Sequence, residues 1–184
     1  RACSDLGVKY LTVYAFSTEN WKRPEDEVSG IFKIMVKYIA KELAELNREN
    51  VRIRVFGQWE AIPEEARESM ELALAQTEAN TGLQFNIALN YGGRKEILDA
   101  VKKLYAETEA SGAKIDDLRS TGQTPDPDLI IRTGGELRLS NFLLWQCAYS
   151  EFVFRDIFWP DFDKKELEGC IEEFNQRHRR YGGL

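Results

Sequence analysis

The stretch LTVYAFSTENWKRPEDEV, which runs from Leu11 to Val28, passes from a strand through a polar loop into a helix. Its first six residues form a short, apolar and β-prone run, which is typical of a strand buried on both faces. Pro24 and the three acidic residues after it suit the first turn of a helix, because the N-terminal end of a helix is positive. The loop STENWKR lies between them, so the strand ends in several groups that can bind a ligand.

The order of strand, loop and helix recurs along the chain. Apolar residues at spacings of three and four predict a long helix with one wide apolar stripe, formed by Val28, Ile31, Phe32, Met35, Ile39, Leu43 and Leu46. Further strands are predicted at residues 51–56, 83–90, 129–133 and 152–154, and further helices at about 63–79, 94–109, 141–148 and 164–179. In the helix at 94–109, the residues predicted to face inward are Ile97, Leu98, Val101 and Leu104. This alternation predicts an α/β fold with a mainly parallel central sheet and helices on both faces.

Size and composition narrow the function classes. A chain of 184 residues fits one domain, 1–184, that can bury a sizeable core. Its formal net charge of −6 argues against broad attraction to nucleic acid, so no nucleic-acid partner is expected. Three cysteines without C-x-x-C spacing predict reduced thiols in a cytoplasmic protein, and a single histidine, His178, leaves a structural zinc site little to build on. No apolar run approaches the roughly 20 residues that span a bilayer.

Polar or glycine-rich loops follow three of the predicted strands, namely STENWKR, NYGGR and TGGELRLSN. In parallel sheets, ligands bind beyond the carboxyl ends of the strands. A structural protein needs turns at this edge, but it does not need this chemistry in all three. Local alternatives stay open for two of the loops: Trp21 can pack as a lid on the core, and Gly92 with Gly93 can simply form a tight turn.

The third loop, TGGELRLSN, is the most informative. Arg132 and Arg138 are fixed cations with fork-shaped donors, and the glycine pair between them lets backbone N–H groups approach a ligand closely. Ser140 is placed to cap the next predicted helix, whose N-terminus adds further donors. Together they predict a phosphate or diphosphate site. The alternative is a surface turn in which Arg138 pairs with Glu136.

The long helix bears on the same question. Its stripe residues, such as Phe32, Met35 and Ile39, are ordinarily core residues. If one face lines a cavity instead, the anion site adjoins an apolar slot. Such a site suits an amphiphile with a diphosphate head and a hydrocarbon tail.

The segments YAFSTENWKRP, LNYGGR, PDPDLIIRTGGELRLSNFLLWQCAYSEFVF and FWPDF closely resemble the cis-prenyltransferase family, and within it the bacterial undecaprenyl diphosphate synthases, or isoprenyl transferases. The similarity runs from about Leu6 to Gly183, with the motifs in family order. It implies an Mg²⁺-dependent enzyme that condenses isopentenyl diphosphate repeatedly onto an allylic diphosphate such as farnesyl diphosphate. The product implied is a long-chain cis-polyprenyl diphosphate, the lipid carrier for cell-wall glycan synthesis.

The resemblance also implies the surroundings of this reaction. The growing chain would enter an apolar tunnel between sheet and helices. The enzyme would be a cytoplasmic homodimer that makes peripheral contact with the inner face of the membrane when the product is released.

The matching motifs carry functional residues over to this chain. The isopentenyl diphosphate head would be bound by Arg132, Arg138, Leu139 and Ser140. The substrate loop would comprise Ser17, Thr18, Glu19, Trp21 and Arg23. Asn20 stands where the family has its proposed proton acceptor. A neutral amide has no useful basicity near pH 7, so we expect Asn20 to orient the substrate while a diphosphate oxygen takes the proton.

Glu151 matches the Mg²⁺ carboxylate of the family, and Arg180 with Gly182 matches a C-terminal R-x-G tail that reaches the neighbouring subunit's active site. Glu151 begins a predicted strand, which is the wrong end for the site of a parallel sheet. Either that strand runs antiparallel, or the carboxylate acts through a dimer contact.

One family motif, H-x-M-D-G-N-x-R-W on an N-terminal strand and phosphate loop, does not occur in this sequence. We expect that strand and loop to belong to a segment that precedes Arg1, so that the domain 1–184 is N-terminally truncated. The alternative function is that of a non-catalytic partner subunit in a heteromeric cis-prenyltransferase. A nucleotide-binding module finds no support, because neither G-x-G-x-x-G nor G-K-[ST] occurs.

Overall fold

The computed structural model describes residues 1–106, 114–122 and 124–178, and the chain divides into two compact units. The first unit is formed chiefly by residues 3–123 and the second by residues from 124 onward. No helix among the described residues is both long and apolar enough to cross a membrane. The assignment of residues 1–184 to one domain stays a prediction.

The first unit contains a three-stranded, wholly parallel sheet. Its strands are β1 (Tyr10–Ser17), β2 (Arg52–Phe56) and β3 (Gln84–Tyr91), in the order β1-β3-β2. Its helices are α1 (Ala2–Asp5), α2 (Glu25–Arg48), α3 (Glu64–Thr77), α4 (Gly93–Ala106) and α5 (Ile115–Leu118). β1 and β2 both begin opposite Gln84, so the three carboxyl ends, and the loops that follow them, meet at one edge of the sheet.

The core of the first unit confirms the predicted stripe on α2. Val28, Phe32 and Leu43 are buried, and the other stripe residues pack against the same apolar cluster. α3 contributes Met70, which is fully buried together with Ala73. Burying one large apolar side chain contributes about 1.5–3 kcal/mol, so this cluster holds α2 and α3 firmly against the sheet.

The expected orientation of α4 is wrong in part. Leu98 is 50% exposed and Val101 is 38% exposed. The buried positions of this helix are Gly93, Glu96 and Ala100, which recur at helical spacing. The helix therefore turns two small residues and one carboxylate inward, and Leu98 and Val101 lie to the side of that stripe.

The second unit contains the strands β4 (Leu129–Arg132) and β5 (Glu151–Phe154) and the helix α6 (Lys164–Asn175). The strands are parallel, with Leu129 opposite Glu151 and Arg132 opposite Phe154. The parallel pairing throughout confirms the predicted α/β class with a mainly parallel sheet. It also shows that the antiparallel alternative for β5 is wrong.

The helix predicted at residues 141–148 is wrong. The segment forms a series of turns instead, and Ser140, Asn141 and Leu143 have φ values of 50°, 65° and 44°. These angles lie in the left-handed region, which a right-handed helix cannot contain. Ser140 therefore does not cap a helix here, and that part of the predicted anion site is wrong as well.

Candidate functional site

The STENW loop is a short 3₁₀ helix, Thr18–Lys22, that begins directly after β1. The backbone N–H of Ser17 donates to Asn20 Oδ1 at 2.8 Å, which closes the turn. Thr18 Oγ1 donates to Glu19 Oε2 at 3.1 Å. The acceptor oxygen of Asn20 is thus already engaged in shaping the loop.

Trp21 has one face on the core and the rest of its indole in solvent. Its ring centroid lies 5.0 Å from that of Phe16, edge to face, and 5.7 Å from that of Phe32. The side chain is nevertheless 42% exposed. The packing agrees with the lid alternative, and the exposure leaves the same ring available to a ligand.

An open cleft of about 270 Å³ adjoins Trp21. Its apolar lining comes mainly from α2 and includes Val28, Phe32 and Val36, with Ala66 from α3. Charged side chains at the lining are Glu25, Lys33 and Glu65. The cleft is slightly smaller than most small-molecule sites, which measure about 300–1,000 Å³. An apolar slot therefore lies beside the loop after β1, as an amphiphilic ligand would require.

Arg23 ends the same loop and forms an exposed ion pair. Its Nη1 lies 2.6 Å from Glu27 Oε1, one helical turn further on. Exposed pairs of this kind contribute only about 0.2–1 kcal/mol. A phosphate could therefore replace Glu27 as the partner of Arg23 with only a small loss of free energy.

The NYGGR segment is held by buried hydrogen bonds. Tyr91 Oη donates to Glu96 Oε2 at 2.6 Å, while Glu96 Oε1 accepts from Ser120 Oγ at 2.8 Å and from the N–H of Thr121 at 3.1 Å. Tyr14 Oη donates to the Tyr91 carbonyl at 3.0 Å. Burial, helped by a nearby carboxylate, raises the pKa of Tyr14 to about 12, so this phenol stays protonated and keeps donating.

Glu96 is a buried residue that the sequence pattern does not reveal. A glutamate in the first turn of a helix is ordinarily an exposed partner of the helix dipole, so nothing in the local pattern marks it as buried. Its exposure is 6%, and a tertiary contact with residues 120–121 supplies two of its three donors, while Tyr91 supplies the third. It joins α4 to the short segment after α5.

In the second unit, the side chains of Arg132 and Ser140 contact each other directly. Arg132 Nη1 donates to Ser140 Oγ at 3.0 Å. Arg132 Nε is buried and has no hydrogen-bond partner among the described residues. Arg138 forms an exposed ion pair with Glu136, which is the geometry of the surface-turn alternative. Leu139 accepts from the Phe142 N–H at 3.1 Å.

The glycine pair of TGGE does not offer its N–H groups to a ligand. The N–H of Gly134 donates to the Ile157 carbonyl at 2.8 Å, and that of Gly135 donates to the Arg155 carbonyl at 3.1 Å. The expectation of free backbone donors is therefore wrong. Both bonds instead fix the loop after β4 to the chain that leaves β5.

Glu151 stands at the amino end of β5 in a chain of ion pairs. Arg177 Nη1 donates to Glu151 Oε2 at 2.8 Å, and Arg177 also pairs with Glu173 at 2.5 Å. Glu173 receives a second bond, from Arg155 Nη2, at 2.9 Å. Hydrogen bonds from Arg155 and then Arg177 hold the pKa of Glu173 below its usual value.

The fit of this region to a divalent metal is limited to one carboxylate. Among the residues that the structure describes, no group of three His, Cys, Asp or Glu side chains could hold a metal ion. Mg²⁺ often keeps several waters and binds one or two carboxylates together with substrate phosphates, so one carboxylate suffices only if the ion arrives with a diphosphate. Glu151 and Arg132 stand at opposite ends of their ladder. Arg180 and Gly182 lie outside the described residues.

Comparison with known proteins gives one consistent result. The model of the family described as putative undecaprenyl diphosphate synthase matches residues 1–182. Similar curated proteins named isoprenyl transferase include one from Streptococcus mutans, 52% identical over 195 residues that cover 100% of this chain and 78% of that protein. Another, from Clostridium tetani, is 46% identical over 192 residues that cover 100% of this chain and 75% of that protein.

Two solved structures are similar as well. A probable undecaprenyl diphosphate synthase from Campylobacter jejuni is 34% identical, with a TM-score of 0.90 over 99% of this chain and 87% of that chain. Lavandulyl diphosphate synthase from Lavandula x intermedia, solved in complex with dimethylallyl diphosphate, is 31% identical, with a TM-score of 0.94 over 99% of this chain and 82% of that chain.

Proposed function

The chain belongs to the undecaprenyl diphosphate synthase family of prenyltransferases, and from this premise we propose that it condenses isopentenyl diphosphate repeatedly onto an allylic diphosphate such as farnesyl diphosphate. The product is a long-chain cis-polyprenyl diphosphate that serves as a lipid carrier for cell-wall glycan synthesis. The observation that carries the proposal is the match to the family model over residues 1–182.

The isopentenyl diphosphate head is assigned to Arg132, Arg138, Leu139 and Ser140. In support, the buried Arg132 Nε has no hydrogen-bond partner among the described residues, and Arg138 forms an exposed ion pair with Glu136. Each charge-assisted hydrogen bond contributes about 1.5–3 kcal/mol. Three or four such bonds approach the roughly 8 kcal/mol of a micromolar ligand.

The allylic substrate is assigned to the loop after β1, comprising Ser17, Thr18, Glu19, Trp21 and Arg23, with its tail in the cleft along α2. Each five-carbon unit buried there adds about 3–4 kcal/mol, at ~0.8 kcal/mol for each CH₂-sized group. A long product therefore leaves slowly. We propose that peripheral contact with the inner face of the membrane assists its release.

The new bond forms when the double bond of isopentenyl diphosphate attacks the allylic carbon and diphosphate leaves. A proton is then lost from the new chain. Asn20 orients the substrate in this step, and a diphosphate oxygen accepts the proton, because a neutral amide cannot act as a base near pH 7. The engagement of Asn20 Oδ1 by the Ser17 N–H supports an orienting role.

We propose Mg²⁺ as the cofactor, with Glu151 as its one carboxylate ligand from this chain. When bound, the ion neutralises charge on the departing diphosphate oxygens. Arg177 occupies Glu151 Oε2, so it must yield that oxygen or share the carboxylate.

Parallel pairing places Glu151 and Arg132 at opposite ends of β5 and β4, so we propose that Glu151 serves the site of the partner in a homodimer. The tail residues Arg180 and Gly182 are proposed to reach across in the same way. Mixing Arg132→Ala chains with Glu151→Gln chains tests this. Half of the dimers are mixed, and each mixed dimer holds one intact composite site, so about a quarter of the normal activity returns. If both residues act within one chain, no activity returns.

The test of the activity itself is an incubation of the full-length protein with radiolabelled isopentenyl diphosphate, farnesyl diphosphate and Mg²⁺. Extraction into butanol and thin-layer chromatography should show a ladder of elongated products. The matched incubation lacks farnesyl diphosphate. Absence of any elongated lipid would refute the enzymatic function and leave a role as a partner subunit.

A further inference from the structure

We propose that Asn90 is a positioning residue whose side-chain amide locks the Trp21 indole as a fixed wall of the apolar cleft, and that this lock sets the affinity for the allylic substrate. The first half of the proposal stands on the geometry of the first unit. The second half rests on the proposed function.

The lock consists of two side-chain hydrogen bonds that point in opposite directions. Trp21 Nε1 donates to Asn90 Oδ1 at 2.8 Å, and Asn90 Nδ2 donates to the Gln58 carbonyl at 2.9 Å. An indole N–H only donates and a carbonyl only accepts, so the orientation of the amide is unambiguous. Asn90 is 6% exposed, which makes both bonds costly to lose.

The backbone around Asn90 restricts which residues can occupy this position. Its φ is +47°, in the left-handed region, which glycine, asparagine and aspartate tolerate best. Of these three, glycine offers no side-chain partner, and ionised aspartate only accepts. Asparagine alone fits the angle and also supplies one acceptor for the indole and one donor for the carbonyl.

The loop after β2 anchors the amide from the other side. The N–H of Gln58 donates to the Asn90 carbonyl at 3.2 Å, so the two residues are joined twice. Gly57 has φ +107°, and a Cβ there would lie 2.3 Å from the Leu89 carbonyl oxygen. The β2 loop therefore lies directly against the β3 backbone, which leaves Asn90 little freedom to turn.

Trp21 connects the Asn90 hydrogen bonds to the cleft, because its fixed indole forms part of the cleft wall. Its indole packs between the Asn90 amide and the rings of Phe16 and Phe32, and it lines the cleft together with Val28. Without the hydrogen bond, a ring that is 42% exposed can swing about its χ angles and obstruct or widen the entrance. The expected effect is on binding of the allylic substrate, and not on isopentenyl diphosphate.

The test uses Asn90→Gly, which keeps the left-handed angle and removes the amide, and Trp21→Phe, which keeps an aromatic ring and removes the donor. The matched control is Asn86→Ala, because Asn86 is a fully buried asparagine on the same strand and bonds to Thr12 instead. The first readout is the ¹H–¹⁵N spectrum of the four tryptophan indoles, with the Trp21 peak assigned by its loss in Trp21→Phe. We expect Asn90→Gly to shift that peak upfield and to speed its exchange with solvent, and Asn86→Ala to leave it in place.

The second readout is kinetic. Losing one hydrogen bond should raise the KM for farnesyl diphosphate about 2- to 12-fold in Asn90→Gly and in Trp21→Phe, with the KM for isopentenyl diphosphate unchanged. The double variant should be no worse than Trp21→Phe alone, because Trp21→Phe already lacks the indole N–H through which Asn90 acts. Should Asn90→Gly not fold, Asn90→Asp keeps the acceptor and should retain the Trp21 peak position.

Three results would overturn the inference: an unshifted Trp21 peak in folded Asn90→Gly, additive effects in the double variant, or an equal rise of both KM values. The spectrum does not depend on catalysis. If the unaltered chain makes no polyprenyl product, the proposed function fails while the spectrum still decides whether the lock exists.

Discussion

Replacing Arg132 by alanine is the sharpest test of the proposed isopentenyl diphosphate site in the second unit. The guanidinium carries five N–H donors, of which one is given to Ser140 Oγ at 3.0 Å. Its Nε is buried with no hydrogen-bond partner among the described residues, so at least one strong donor is held ready for a ligand. Removing a charge-assisted bond of about 1.5–3 kcal/mol should weaken isopentenyl diphosphate binding roughly 10- to 100-fold.

The assay is the KM for isopentenyl diphosphate at saturating farnesyl diphosphate, together with direct calorimetric titration of isopentenyl diphosphate. Arg132→Lys keeps the positive charge and loses the forked pair of guanidinium donors. Its KM for isopentenyl diphosphate should therefore lie between those of the alanine variant and the unaltered protein. Arg54→Ala is the control, since Arg54 is an exposed arginine on β2 and its loss changes the net charge by the same amount. A folded Arg132→Ala protein whose KM stays within about twofold of normal would remove Arg132 from the site.

Three further predictions concern the loops and the ion pairs. Asn20→Asp should lower kcat without a new limb in the pH profile, because the residue orients substrate; a shifted optimum would count against that role. Glu96→Ala should lower the free energy of unfolding in urea by about 2–4 kcal/mol, since two buried donors, Tyr91 Oη and the Thr121 N–H, lose their acceptor, and an unchanged midpoint would contradict this. The pKa of Glu173 is lowered by Arg155 and Arg177, so its contribution to stability is present above pH 4.5, the ordinary value, and is lost as pH falls through the lower folded value. Glu173→Gln should therefore flatten the acid limb of the thermal unfolding profile, and an unaltered limb would exclude that linkage.

The stripe on α2 could be predicted because its apolar period extends over five turns and only one face fits it. The pattern on α4 misleads for a different reason. Apolar residues at 97, 98, 101 and 104 lie within about 120° of one side of a helix, but the buried residues Gly93, Glu96 and Ala100 lie on the neighbouring side. Glu96 decides this orientation, and two of its donors lie far along the chain, at positions 120 and 121. A contact between residues 24 positions apart cannot be predicted from the spacing of apolar residues within one helix.

The errors in the second unit have the same origin. The run NFLLWQCA has apolar residues at helical spacing, yet Ser140 and Asn141 take left-handed angles that end any helix there. The glycines at 134 and 135 are predicted to bring backbone N–H groups close to a ligand, but these groups donate to the chain after β5 instead. The sequence identifies the residue types at this edge, and the tertiary structure decides which donors stay available.

The hydrogen-bond donors in the loops after β1 and β4 differ in how strongly their present partners hold them. This difference determines which donors a diphosphate could recruit. The Gly134 and Gly135 N–H groups already have backbone partners, and exchanging those would cost a backbone hydrogen bond of about 0.5–1.5 kcal/mol each. Arg23 and Arg138 are held only by exposed carboxylates, whose pairs contribute about 0.2–1 kcal/mol. A charge-assisted hydrogen bond from one of these arginines to a phosphate oxygen contributes about 1.5–3 kcal/mol. The phosphate can therefore displace the carboxylate without any change in the loop backbones. Each loop can thus stay rigid while its arginine changes partner, which is the arrangement expected of an enzyme that must bind and release diphosphate at every cycle.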